Sequence, residues 1–358
     1  MKVRFGLSPI AFDIHDFIEQ GMAAEEHGFD SIWIADHYTD LPPSNDKYEP
    51  WTLLATIGAK TESILLGTLA TDCIRHHPAT IAHIAASLDN ITHGRAILGI
   101  GAGEAMNTKP YGMPWEDPET RVSRLRETLQ LIRLLWKSTQ MSPVNFEGRF
   151  FHMTGARLDL HPYHDRDLPI YVAALGSRRT LNLVGELGDG WLPWFNTPES
   201  FAERRQLIDD AAVKAGRSGH EIEKVAVIYL CLTEDRNIQK KVIVSMKAEI
   251  VVLTGPRRLA RYGHVLNVDE SSNYSYQKCL ASETDAERAR DLGKALPDTL
   301  AGKFLVTGSP TQCIDQMEQL VDAGAQHLIL RDMLWANQIQ DFRSTMKIMQ
   351  SEIIPTFR

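Results

Sequence analysis

Long apolar runs are missing from this chain: in 358 residues no stretch approaches the roughly 18 consecutive apolar positions that a membrane span requires. With 43% hydrophobic and 23% charged residues, the balance is that of a globular protein with no membrane role. Cysteine is scarce, and Cys73, Cys231, Cys279 and Cys313 stand far apart with no C-x-x-C pair. Neither a zinc site nor a disulfide framework is indicated, so a reducing cytoplasm is the expected compartment. The opening Met1-Lys2-Val3-Arg4-Phe5-Gly6-Leu7 enters a strand-like segment without the basic region, apolar core and cleavage site of a secretory signal. A basic stripe is absent as well, and the net charge of -8 argues against a nucleic-acid partner. His76, His77 and His83, or His161 and His164, cluster without a nearby Cys or a H-E-x-x-H spacing, so no metal is expected. No G-x-S-x-G elbow and no G-x-x-x-x-G-K-[ST] loop occurs, which removes the α/β-hydrolase and P-loop readings.

What is present is an alternation of short aliphatic runs with amphipathic stretches along the whole length, the pattern of parallel β/α units. Eight strands are predicted: Val3–Leu7, Ser31–Ala35, Ile64–Leu69, Ala96–Ile100, Ile170–Ala173, Gly190–Trp194, Val225–Leu232 and His327–Leu330. The clearest helix spans Glu119–Lys137, where Val122, Leu125, Leu129, Ile132, Leu135 and Trp136 recur at helical spacing. Arg121, Arg124, Arg126 and Arg133 fall mostly off that face. Thr197-Pro198-Glu199 and Ser309-Pro310-Thr311 read as helix starts, each a capping hydroxyl followed by Pro at the first helical position. Two segments break the alternation, about 139–167 and 256–303, the second holding the polar tract Asp269-Glu270-Ser271-Ser272-Asn273. Both read as insertions in a single domain covering 1–358. Periodicity alone fits a closed barrel or an open doubly wound sheet equally well.

The polar and Gly-rich features gather where successive strands end. Asp36-His37 follows the second strand, Thr68, Thr71 and Asp72 the third, Gly101-Ala102-Gly103-Glu104 the fourth and Gly176-Ser177 the fifth. In a parallel barrel those ends share one face, where barrel enzymes keep their active sites. Asp36-His37 sets an acid beside an imidazole with side chains pointing apart, one free to hold a ligand and the other to move a proton. Equally, Asp36 could cap the next helix and His37 be an ordinary satisfied polar residue. Gly99-Ile100-Gly101-Ala102-Gly103-Glu104 lacks the third glycine of a dinucleotide fingerprint, since Glu104 or Met106 stands there in either register. Its glycines suit a backbone lying flat against a planar ring, with Glu104 partly desolvated, or a simple turn with Glu104 in solvent. Leu175-Gly176-Ser177-Arg178-Arg179 opens a helix whose free N–H groups suit a phosphate, or is a plain connection with solvated arginines.

Taken in order, Trp33-Ile34-Ala35-Asp36-His37, Thr71-Asp72 with Arg75-His76-His77-Pro78, Gly94–Asn107, Gly188-Asp189-Gly190-Trp191 and Val306-Thr307-Gly308-Ser309-Pro310 resemble the luciferase-like oxidoreductases that use the deazaflavin coenzyme F420. The resemblance runs nearly end to end. It implies a (β/α)8 TIM barrel with insertion segments, usually homodimeric, that holds the deazaflavin in the barrel mouth and transfers hydride to or from a small-molecule substrate. It further implies that Asp36 contacts the ring, that His37 and Glu104 are catalytic proton-transfer groups, and that the Thr68-Leu69 segment carries a non-proline cis peptide behind the ring. Thr71, Ala102, Gly103, Asn107, Leu175, Gly176 and Ser177 match positions that hold the ring and the phosphate-bearing tail. Leu41 and Thr108 replace a tryptophan and an acidic residue of the family's sugar-phosphate and secondary-alcohol dehydrogenases, which argues against their substrates. Asp46–Leu53 and Pro110-Tyr111-Gly112 look more like the phthiodiolone ketoreductase branch. The methylenetetrahydromethanopterin reductases share the Asp-His pair but tend to lack a counterpart of Glu104. An FMN-dependent monooxygenase and a non-catalytic cofactor-binding barrel are the alternatives.

Overall fold

A computed structural model describes residues 2–42, 45–266 and 274–358, so the polar tract 269–273 lies outside the described residues. Among the described residues, eight strands close on themselves: β1 (Arg4–Leu7), β2 (Ser31–Ile34), β3 (Leu65–Thr68), β4 (Ala96–Gly101), β5 (Ile170–Ala173), β6 (Gly190–Leu192), β7 (Glu223–Cys231) and β8 (His327–Asp332). Each pairs in parallel with its neighbours, and β8 returns to β1 through Arg4↔His327 to Leu7↔Leu330. The structure thus decides for the barrel over the open sheet. All eight strands stand where the sequence pattern places them, with ends shifted by a few residues at most.

Flanking helices are α1 (Ile14–Glu26), α2 (Pro50–Gly58), α3 (Pro78–Ile91), α4 (Pro118–Trp136), α5 (Arg178–Leu187), α6 (Pro198–Lys214), α7 (Arg236–Arg261), α8 (Glu283–Lys294) and α9 (Pro310–Asp322). The two predicted starts hold: Thr197 and Ser309 cap α6 and α9 with reciprocal capping boxes and Pro at the first position. Segment 139–167 forms an antiparallel hairpin, Val144–Glu147 with His152–Ala156. Segment 256–303 begins inside α7, which bends where Gly255 takes φ 68° ahead of Pro256, and continues into α8, packed on α7. Two short strands missed by the periodicity, Thr71–Asp72 and Leu305–Thr307, pair with the ends of β4 and β7.

Inside the barrel, every second strand residue points inward. Trp33, Leu69, Ile97, Tyr171, Leu192, Val225 and Ile329 form this inner core, apart from the larger core between strands and helices. Burying such a side chain stabilises by about 1.5–3 kcal/mol. Two inward glycines make the packing possible. A Cβ on Gly67 would lie 2.4 Å from the Trp33 ring, and one on Gly99 would lie 1.8 Å from the Thr68 carbonyl oxygen. Below this layer the floor is polar: Arg4 Nε donates to Glu223 at 2.7 Å, the Tyr171 hydroxyl donates to Glu223, and the Ser31 hydroxyl pairs with His327 Nε2 at 2.7 Å. With the floor packed, the barrel opens at the opposite mouth, at the strand C-termini.

Candidate active site

A cavity of about 1010 Å³ occupies that mouth. Asp36, His37, Leu69, Ala102, Gly103, Glu104, Asn107, Leu175 and Ser177 all line it, so strands β2 to β5 deliver most of the predicted site residues to one space.

His37 and Glu104 are paired. His37 Nε2 lies 2.9 Å from Glu104 Oε1, and their side chains are 26% and 16% exposed. Burial, the largest single influence, pushes the imidazole pKa down, but the Glu104 charge and hydrogen bond, with Asp40 beyond, override it and raise His37 to about 9. His37 is therefore an imidazolium at neutral pH, and Glu104 is not the solvated carboxylate of the plain-turn reading. Asp40 Oδ2 lies 4.0 Å from His37 Nδ1 and 3.2 Å from Lys47 Nζ, so the imidazolium faces two carboxylates with one cation behind them.

Glu104 is itself held. Asn107 Nδ2 donates to Glu104 Oε1 at 2.6 Å and to the Thr39 carbonyl at 3.2 Å, while its Oδ1 accepts from the Tyr38 and Thr39 N–H groups at 2.7 and 2.9 Å. The Asn107 amide is thus wholly engaged within the protein. It fixes Glu104 and the backbone after His37 while lining the cavity.

Asp36 does not cap a helix; Glu49 caps α2. The Asp36 side chain is buried, one oxygen 2.9 Å from Arg75 Nη2, and Arg75 Nε also pairs with Asp72. The second Asp36 oxygen is buried with no partner, as is the Thr71 hydroxyl. Burying a polar atom without a hydrogen bond is costly, so the orphaned Asp36 oxygen in this cavity wall marks a place for a donor on a ligand.

Thr68 and Gly176 do not line the cavity. The Thr68 hydroxyl donates to the Gly99 carbonyl at 2.7 Å and accepts from the Gly99 N–H at 3.1 Å, tying β3 to β4. Gly176 has φ 122°, a conformation that favours glycine, and turns the chain into α5. Ser177 caps that helix, accepting from the Thr180 N–H at 3.2 Å. The non-proline cis bond lies at Leu69–Ala70, one residue beyond the expected Thr68-Leu69 position. Of the histidines set apart from the site, His77 is the N-cap of α3.

The model of one protein family, described as luciferase-like monooxygenase, matches residues 2–327. This chain belongs to that family. Among its relatives in the luciferase-like family, 5,10-methylenetetrahydromethanopterin reductase of Archaeoglobus fulgidus is 30% identical over 335 residues, covering 94% of this chain and 93% of the relative. Phthiodiolone/phenolphthiodiolone dimycocerosates ketoreductase of Mycobacterium bovis is 31% identical over 331 residues, covering 86% and 85%. The F420-dependent glucose-6-phosphate dehydrogenase of Amycolatopsis mediterranei is 29% identical, covering 92% of each chain. A coenzyme F420-dependent tetrahydromethanopterin reductase from Methanopyrus kandleri superposes with a TM-score of 0.78 at 25% identity over the full length of both chains. An F420-dependent secondary alcohol dehydrogenase in complex with an F420-acetone adduct shares the fold, with a TM-score of 0.84 at 22% identity and full coverage of both. These relatives are F420-dependent or reductive enzymes acting on pterin, ketone, alcohol or sugar-phosphate substrates.

Within this luciferase-like barrel, several cavity residues carry no signal in the sequence. Arg331 and Glu249, 3.4 Å apart, meet in the cavity wall from β8 and α7. Arg121, expected on the solvent side of α4, is 3% exposed and lines the cavity, because the loop before α4 folds Trp115 under its guanidinium. Arg75 had a readable signal, an acidic residue three positions before it at a strand end.

Proposed function

We propose that this protein is a coenzyme F420-dependent oxidoreductase that moves a hydride between C5 of the deazaflavin and a carbonyl, alcohol or imine-like carbon of a small organic substrate. The observation that carries the reading is the half-buried His37–Glu104 pair at the wall of a cavity large enough for cofactor and substrate together. The residues fit the group. The free Asp36 oxygen offers an acceptor to the ring, and the Gly101-Ala102-Gly103 stretch gives a flat backbone wall. Leu69, Leu175 and Ser177 complete the set that would hold ring and tail, with Thr68, Thr71 and Gly176 supporting them from behind.

When bound, the coenzyme supplies the two-electron hydride chemistry, which side chains cannot. This chain's residues supply the proton. His37, charged at neutral pH, would give its proton to a carbonyl oxygen as hydride reaches the carbon, and would take it back in the alcohol direction after the pair has lost that proton. Glu104 holds the imidazolium in place and stabilises its charge. We read residues 1–358 as one catalytic domain, working in the cytoplasm as a homodimer on a small molecule, with no nucleic-acid or membrane partner. The four free, buried cysteines, the net charge of -8 and the absence of any helix among the described residues long and apolar enough to cross a membrane support this.

Titration with coenzyme F420 and with FMN, followed by absorbance and fluorescence, tests the cofactor. Tight F420 binding with weak FMN binding is expected; the reverse would make the protein a flavin monooxygenase and overturn the proposal. His37→Ala and Glu104→Ala should each lower turnover by about 100-fold or more while cofactor binding persists. Near-wild-type turnover in both would remove them from the mechanism.

A further inference from the structure

One stretch of the cavity wall is apolar. The segment after β1 contributes Pro9, Ile10 and Ala11, and α1 contributes Phe17. The loop before α2 adds Leu41 and Tyr48, and the Tyr48 ring meets Phe17 edge-on with centroids 6.0 Å apart. Helix α7 presents Ser245, Ala248, Glu249, Val252 and Leu253, spaced as one helical face with apolar side chains at 248, 252 and 253. Ile10, Phe17, Leu41, Tyr48 and Leu253 are only partly buried by the fold, so apolar surface is left facing the cavity. Covering that surface with an apolar ligand is favourable in proportion to the area removed from water.

The polar groups of this wall are engaged within the protein. The Ile10 carbonyl accepts from the Trp335 indole N–H at 2.6 Å and the Gln20 amide at 2.9 Å, and the Ala11 carbonyl accepts from the Asn45 amide at 3.1 Å. The Tyr48 hydroxyl donates to Asp46 at 3.4 Å. Glu249 accepts from the Tyr229 hydroxyl at 2.6 Å and faces Arg331 at 3.4 Å, while Lys47 pairs with Asp40 at 3.2 Å. Arg290, exposed, donates to the Pro42 carbonyl at 3.0 Å. An anionic ligand here would have to take a cation from its carboxylate; an uncharged ligand leaves both pairs intact.

The wall is continuous with the reacting centre. His37 Nε2 is taken by Glu104 at 2.9 Å, whereas Nδ1 faces Asp40 Oδ2 at 4.0 Å, beyond hydrogen-bond reach. The Nδ1 N–H is therefore the edge of the imidazolium open to a ligand oxygen. Asp40-Leu41 and Lys47-Tyr48 carry the chain directly from that edge to the apolar surface.

We propose that the substrate is an uncharged ketone on an extended apolar body, its oxygen against His37 Nδ1 and its hydrocarbon along the wall from Ile10 and Phe17 to Val252 and Leu253. The reaction rests on the function proposed above: the carbonyl carbon gains a hydride from the reduced coenzyme, the oxygen gains the His37 proton, and the ketone becomes a secondary alcohol. The binding of the apolar body does not rest on it, and the test separates the two.

Straight-chain methyl ketones from butanone to decanone are titrated calorimetrically into the cofactor-free wild type, Leu253→Gln and Leu253→Met. With reduced coenzyme F420, kcat and KM are measured for the same ketones, for their ω-carboxylated counterparts and for glucose 6-phosphate. Wild-type affinity should rise about fourfold per added methylene until the wall is covered, with a negative heat-capacity change. The same gain should appear in KM with kcat little changed, because the apolar body is held equally in ground and transition states. The carboxylated ketones and glucose 6-phosphate should be poor substrates. Leu253→Gln should flatten the rise and Leu253→Met should keep it. Comparing each protein across the series keeps the reading independent of any change in its stability. A rise in binding that Leu253→Gln flattens, in a protein that reduces no ketone with the coenzyme, supports the apolar subsite and overturns the function proposed above. Turnover of glucose 6-phosphate or of the carboxylated ketones ahead of the uncharged series overturns the substrate assignment and leaves the cofactor reading standing. Affinity that ignores chain length, or a rise that Leu253→Gln leaves unchanged, would sink the proposal.

Discussion

Replacing Glu104 by Gln removes the charge facing His37 while keeping the shape of the side chain and an acceptor oxygen for Asn107. In the native site His37 is raised from 6.5 to about 9, against the downward pull of burial. At about 1.36 kcal/mol per pH unit, that rise corresponds to about 3 kcal/mol in favour of the imidazolium. With Glu104 neutral, the downward pull of burial, already the largest influence, is opposed only by the more distant Asp40 charge, and the His37 pKa should fall to about 6.5. At pH 7.5 the protonated fraction would drop from nearly complete to about one tenth, so carbonyl reduction should slow about tenfold, beyond any loss of geometry. The sign of the stability effect follows from linkage. A pKa raised on folding adds stability that is complete below 6.5 and is lost as pH rises toward about 9, so the native protein should weaken by about 3 kcal/mol across that window. Glu104→Gln should flatten this dependence. The assay is direct titration of the His37 ring by NMR, with denaturant unfolding at pH 6, 7.5 and 9 as the second readout. A His37 that still titrates near 9 in Glu104→Gln would refute the assignment of its charge to this pair.

Two further expectations concern the barrel. Gly99→Ala would drive a methyl to 1.8 Å from the Thr68 carbonyl, and because that contact is backbone, it should cost about 3 kcal/mol or more, seen as a lower urea midpoint. On the floor, burial pushes Glu223 up, but His327 and Arg4 hold its pKa at about 2 instead of 4.5. A depressed carboxyl adds stability present above 4.5 and lost as pH falls, so about 3 kcal/mol should disappear between pH 4.5 and 2. Glu223→Gln should be less stable at pH 7 and lack that acid loss; an unchanged acid transition would show that the floor network contributes nothing.

The sequence by itself determined the eight strands, the helix starts at Thr197 and Ser309, and the gathering of Asp36, His37 and Glu104 at one end of the fold. These are legible because strand period, capping chemistry and strand-end position are local properties, written in neighbouring residues. Whether the strands closed into a barrel was decided only by the β8 to β1 pairing, a contact across more than three hundred residues that no local pattern encodes. The same distance hid the electrostatics. Nothing near position 37 shows that Glu104 will stand 2.9 Å away and raise its imidazole, and nothing near Asn107 shows that its amide will be wholly taken up by residues 38, 39 and 104. Arg121 was misplaced for the same reason, since helical spacing sets which way a side chain leaves α4 but not that Trp115 and the cavity wall will enclose it there. Local sequence fixes elements and their ends, while burial, charge balance and pKa depend on which elements the closed barrel brings together.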